Sequence, residues 1–139
     1  MSARTKARKR AVDMLYAADV RRRPVQEILA AEAARAASEP ARQASWLYAR
    51  EIVDGVVDHD DEIDALLRGH AQGWSLERMP AVDRALLRVA VWEMCFGAGV
   101  PAPVAIAEAV RAAEELSTEG SPGFVNGLLA RIAKETQER

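Results

Sequence analysis

His59, His70 and Cys95 are the side chains to which metal or nucleophilic chemistry would first be assigned. The two histidines are eleven residues apart on what the pattern predicts to be one long helix. That spacing puts them on one face but about 16 Å apart along the axis, too far to share a metal ion. Cys95 is the only cysteine, so an internal disulfide and any multi-cysteine metal site are excluded. It sits on a mostly apolar helix with no histidine near it in sequence, which reads as a core thiol rather than a nucleophile. The acidic run Asp58, Asp60, Asp61, Glu62, Asp64 lacks the glycine and terminal glutamate of a calcium loop and reads as a solvated helix face. Gly97-Ala98-Gly99 follows a helix and has no Lys-Ser/Thr after it, so it is a turn and not a phosphate loop. Glu93 falls inside an apolar helical face, where it must accept hydrogen bonds from a helix N-terminus or pair with an arginine; a catalytic role is the third reading. Neither a catalytic constellation nor a cofactor or metal site is expected.

Basic residues carry a different chemistry. Residues 1–23 hold Arg4, Lys6, Arg8, Lys9, Arg10, Arg21, Arg22 and Arg23 against Asp13 and Asp19, a local +6 on a chain of net −2. A basic end on an acidic body is the footprint of nucleic-acid contact, or else a solvated terminal charge run. On a helical projection from Ala7, the residues Ala11, Met14, Leu15 and Ala18 fall within about 80° and make a core stripe. Tyr16 then lies near 180°, on the outer face. An aromatic ring facing out of a basic helix suggests a contact surface, since aromatics anchor interfaces and stack on bases; the alternative is a tyrosine covered by another part of the fold.

These residues need a scaffold, and the composition says which kind. The 139 residues include 28 Ala against 13 Val, 5 Ile and 3 Thr. Alanine loses no side-chain entropy in a helix and β-branched residues do, so the balance predicts an all-α fold. The longest uncharged stretch, Met94 to Ala107, is short and broken by Gly and Pro, so no membrane span is expected. Asp13 and Asp19 interrupt any signal-peptide core, and the cytoplasm is the expected compartment.

Punctuation by Pro and Gly predicts six or seven helices. The first runs from about Thr5 to Val20, and the second from Pro24 to Ala37. A long helix spans about Ala41 to Arg68, ended by Gly69 and Gly73. A turn over Ser75–Met79 leads to a helix begun by Pro80 and closed near Gly97. Another covers Val104 to Leu116, and the last starts at Ser121-Pro122, an N-cap followed by Pro at the first helical position. In the helix begun by Pro80, Val82, Leu86, Val89 and Phe96 form one flank and Leu87, Ala90, Val91 and Met94 the other. Only Arg84 and Arg88 make a polar strip, which places this helix at the centre of the fold.

The segment Ala7-Arg8-Lys9-Arg10-Ala11-Val12-Asp13-Met14-Leu15-Tyr16 resembles the arginine-rich opening of the NusB family of transcription antitermination factors. So do Trp74 to Arg88, Trp92-Glu93, Val100-Pro101, Ala105 to Val110 and Phe124-Val125-Asn126-Gly127-Leu128-Leu129. The resemblance implies an all-α fold of two small helical subdomains, 1–70 and 71–139. It implies binding of the boxA sequence in nascent ribosomal RNA leader transcripts as single-stranded RNA, together with NusE, a small-subunit ribosomal protein, within the RNA polymerase antitermination complex. Carried over by position, it puts Arg4, Lys6, Arg8 and Lys9 on RNA, with Phe124 and the loop before it nearby. Tyr16 and Asp83 match positions facing the ribosomal protein. Gly120 departs from an acidic residue, Glu114 from a lysine and Ala107 from an asparagine, which bears on the loop's RNA role and not on the fold. Two other readings stay open: a helical protein-interaction module without specific RNA binding, and a homodimer sharing the Tyr16 surface.

Overall fold

Ser2 starts the first helix by capping it: its Oγ accepts from the Thr5 N–H at 3.1 Å, satisfying a donor that the helix leaves orphaned. In a computed structural model, which describes residues 2–97 and 99–137, helix α1 (Ala3–Arg21) therefore begins two residues earlier than the apolar pattern predicts. It ends where Arg22 turns left-handed at φ 54° and the Arg23 N–H reaches back to the Ala18 carbonyl at 3.1 Å. There follow α2 (Val25–Ser38), α3 (Pro40–Asp58), α4 (Asp60–His70), a 3-10 turn over Leu76–Arg78, α5 (Ala81–Cys95), α6 (Ala102–Leu116) and α7 (Ser121–Gln137). All regular structure among the described residues is helical, as the alanine balance predicts. Ala98, in the predicted Gly97-Ala98-Gly99 turn, lies outside the described residues.

The long helix predicted over Ala41 to Arg68 is two helices. The break is at His59, with φ −119° and ψ 23°. Asp60, Asp61 and Glu62 then occupy the first turn of α4, where negative side chains favour the positive end of the helix dipole. From Asp60 on, the acidic run is a helix start, while Asp58 ends α3. Asp58, Asp60, Asp61 and Glu62 are exposed, as a solvated face requires, and only the last member differs: Asp64 takes two bonds from Arg88, at 3.0 and 3.2 Å. His59 closes the break by stacking its ring on Phe96, centroids 4.2 Å apart.

Helix α5 is the hub, in contact with α1, α3, α4, α6 and α7. Leu86, Leu87, Val89, Ala90, Val91 and Trp92 are all buried along it, so its apolar character on nearly every side is used. Gly55 lets α3 approach closely, since a Cβ there would fall on the Trp92 indole. Helix α1 packs on α3 and α5 alike, and one core cluster runs through both halves of the chain. The predicted polar strip of α5 consists of struts. Arg84 donates to Asp19 of α1 at 2.9 Å and to the carbonyls of Leu76, Glu77 and Met79 around the 3-10 turn. No helix among the described residues is long and apolar enough to cross a membrane.

Candidate nucleic-acid and partner interface

Four basic residues in the first turns of α1 have different environments. Arg4, Lys6 and Lys9 are exposed. Arg8 is not: it is 8% exposed, and its Nε donates to Glu93 Oε1 at 2.8 Å, with Nη1 3.5 Å from Glu108 Oε1. Burial works against the Arg8 cation, yet the bond and charge of Glu93 with the charge of Glu108 leave its pKa raised. A buried guanidinium paired with two carboxylates is a poor phosphate ligand; Arg8 ties α1 to α5 and α6 instead. Glu93 is 1% exposed and pairs with an arginine, one of the two partners its sequence position allowed. Its second oxygen accepts from the Tyr48 hydroxyl of α3 at 2.5 Å. Thr5 Oγ1 donates to Glu108 at 3.1 Å, so Glu108 also belongs to this network. The basic turn is thereby anchored to three other helices.

At the other end of α5 the sequence-level assignment of Asp83 changes. Its side chain is not on the surface: Asp83 is 2% exposed and accepts from Ser117 Oγ at 2.6 Å and Ser121 Oγ at 2.8 Å. The carboxylate holds the end of α6 to the start of α7, which makes it an internal tie rather than a contact surface. Phe124 stands one turn into α7, half-buried, with its ring edge-on to Trp74 at 6.1 Å. Trp74 is 57% exposed and, with Phe124, Arg78, Thr118 and Gly120, lines a surface groove. Glu114 and Ala107 are exposed on α6, away from the core. Tyr16 is 41% exposed and Val20, one turn on, 53%; together they make an apolar spot on the outer face of α1.

The residues considered first for chemistry have structural partners. His59 Nδ1 lies 2.9 Å from Glu62, while His70 meets the Leu66 carbonyl and Glu135. Burial pushes the Cys95 thiol up, away from the thiolate a nucleophile needs.

The NusB family model matches residues 5–134. Over 134 residues the chain is 66% identical to the transcription antitermination protein NusB of Leifsonia xyli subsp. xyli, covering 96% of this chain and 93% of that one. The chain belongs to the NusB family. Its NusB-family relatives include the protein of Clavibacter sepedonicus, 60% identical over 96% of this chain and 97% of that one. Among solved structures, T. maritima NusB superposes with a TM-score of 0.81 at 32% identity, covering 95% and 91% of the two chains. A chain from a crystal structure of NusB and NusE in complex with double-stranded RNA gives 0.83 at 29%, covering 97% and 98%.

Within this NusB-family chain, sequence reasoning missed Tyr48, Glu108 and Trp74. Tyr48 lies in the Val25–Asp64 region, where only a helical pattern was readable. Glu108 falls on the polar face of an amphipathic helix, which gave no sign that α1 covers it. Trp74 had two usable signals, an aromatic beside Gly73 in a predicted loop and its place at the head of a family-like segment, and neither said that it meets Phe124.

Proposed function

We propose that this NusB-family antitermination protein binds the boxA segment of ribosomal RNA leader transcripts as single-stranded RNA. It does so together with the small-subunit ribosomal protein NusE, within the RNA polymerase antitermination complex. The observation that carries this reading is the basic first turns of α1: Arg4, Lys6 and Lys9 are exposed on a turn that a part-buried and a buried hydrogen bond already fix to the body. Exposed cations on a preordered helix suit a phosphate backbone. The similarity to a chain solved in a complex of NusB, NusE and double-stranded RNA supports NusE and RNA as the classes of partner. Phe124, with Trp74 beside it, offers ring faces and edges to an unstacked base. Arg8 and Asp83 support the two surfaces from within. Tyr16 and Val20 are the contact for the ribosomal protein.

The test is titration of a labelled boxA RNA and a scrambled one, with and without NusE, at several salt concentrations. Three phosphate contacts predict a log–log salt slope near −2, at about −0.7 for each phosphate on a single strand. Replacing Arg4, Lys6 and Lys9 together by alanine should flatten it towards zero. Tyr16→Asp should leave binding by the isolated protein within a few-fold and abolish the gain from NusE. Equal affinity for boxA and scrambled RNA would favour the plain interaction module. Wild-type NusE binding by Tyr16→Asp, with dimers seen by light scattering, would give the Tyr16 face to a second copy.

A further inference from the structure

Tyr48 meets both arginines of the basic turn, in different ways. The Arg4 Cζ lies 4.4 Å from the ring centroid, over the ring, and the Arg8 Cζ lies 6.0 Å from it. Arg8 is turned inward, its Nε bonded to Glu93 and its Nη1 3.5 Å from Glu108. Arg4 has no ion pair among the described residues, and its one aromatic contact there is this ring. A guanidinium placed over an aromatic face keeps its N–H donors, which all lie in the guanidinium plane, for another ligand. The ring is itself tethered, because its hydroxyl donates to buried Glu93 at 2.5 Å.

We infer that Tyr48 is a positioning residue for RNA: its ring holds the Arg4 guanidinium over the surface, so that a phosphate meets an already ordered donor. An arginine free in solvent loses rotamer freedom when it captures a phosphate, and one held over a ring has lost it beforehand. Through Glu93 the same tyrosine couples Arg4 to the buried Arg8, so the helix turn and its exposed cation are set by one group. This inference rests on the RNA reading of the basic turn.

The experiment compares Arg4→Ala, Tyr48→Leu, Tyr48→Phe and the double Arg4→Ala/Tyr48→Leu in the full chain, titrated with labelled boxA RNA. Tyr48→Leu should weaken binding by about two- to five-fold, the worth of an exposed cation–ring contact. The double variant should bind like Arg4→Ala alone, because a ring with no arginine to hold contributes nothing. Tyr48→Phe keeps the ring but loses its tether, so its affinity should fall between wild type and Tyr48→Leu, while stability is lost with the hydroxyl. Additive losses in the double variant, or a Tyr48→Phe loss equal to that of Tyr48→Leu, would overturn the inference. Lys6→Ala and Lys9→Ala serve as the control. Weakening by these two with none from Tyr48→Leu removes the positioning role alone, whereas no effect from any basic substitution removes the RNA reading. Should Tyr48→Leu not fold, NMR of the wild type and Tyr48→Phe decides. The Arg4 δ-methylene protons should be shifted upfield by the ring in both, and random-coil positions in the wild type would refute the contact.

Discussion

Replacing Glu93 by alanine takes away an acceptor on which two other helices depend. Arg8 loses its 2.8 Å partner and Tyr48 its 2.5 Å partner, both in a region where Glu93 is 1% exposed. A hydrogen bond to a charged group contributes about 1.5–3 kcal/mol and a neutral donor left unpaired costs about 1–3 kcal/mol. Breaking a buried ion pair from one side costs about 3–5 kcal/mol. Glu108, 3.5 Å from Arg8, remains to compensate part of the charge, which brings the expectation to about 3 kcal/mol. Glu108→Ala removes a longer contact and a part-buried bond from Thr5, and should cost about 1 kcal/mol or less. Urea denaturation measures both. With a slope of about 2 kcal/mol/M, Glu93→Ala should lower the midpoint by about 1.5 M and leave the slope unchanged. Equal midpoints for the two variants would mean that Glu93 is solvated and that the anchoring of α1 described above is wrong.

Gly55→Ala drives a methyl into the Trp92 indole and should destabilise by about 1–3 kcal/mol, as overpacking does; an unchanged melting curve would show that α3 and α5 stand further apart. Asp83→Ala strips the acceptor from Ser117 and Ser121 and should cost about 1–3 kcal/mol, visible in the denaturation midpoint of the isolated protein without any partner. Burial, and then the bond to Glu93, push the Tyr48 phenol up from its ordinary value of 10.0. Its folded-state pKa is raised, so the stability that the hydroxyl contributes is fully present below about pH 10 and is lost as pH rises through the folded value. The stability gap between wild type and Tyr48→Phe should be level from pH 7 to 9 and shrink above pH 10; a gap that widened there would reverse the sign.

Periodicity exposes what points inward and hides what it touches. The stripe of α1, the central place of α5 and the start of α7 near Ser121 were readable because apolar spacing and prolines act within a few residues; the cap was not, since Ser121 is the first helical residue and its hydroxyl donates to Asp83. Glu93 was readable as a carboxylate in need of a donor, while its second partner Tyr48 was not, being 45 positions away on a helix with no distinguishing motif. The same limit explains Arg8 and Asp83. Each belongs to a motif, and a motif records that a residue type is required without saying whether it faces a ligand or the interior. The division at His59 was missed for a local reason. Acidic residues in series fit a solvated helix face and a helix start equally well, and only the backbone torsions at His59 separate them.

Arg84 bears on the order in which parts of this molecule come apart. The segment between α4 and α5 has little regular structure beyond its 3-10 turn, and such connections normally open at low free energy. Here one side chain from the hub helix closes around three of its carbonyls and a carboxylate of α1. The connection that carries exposed Trp74 thus opens with the core rather than ahead of it. In hydrogen exchange its hydrogen-bonded Arg78 and Met79 amides should therefore fall with the slow set of α5.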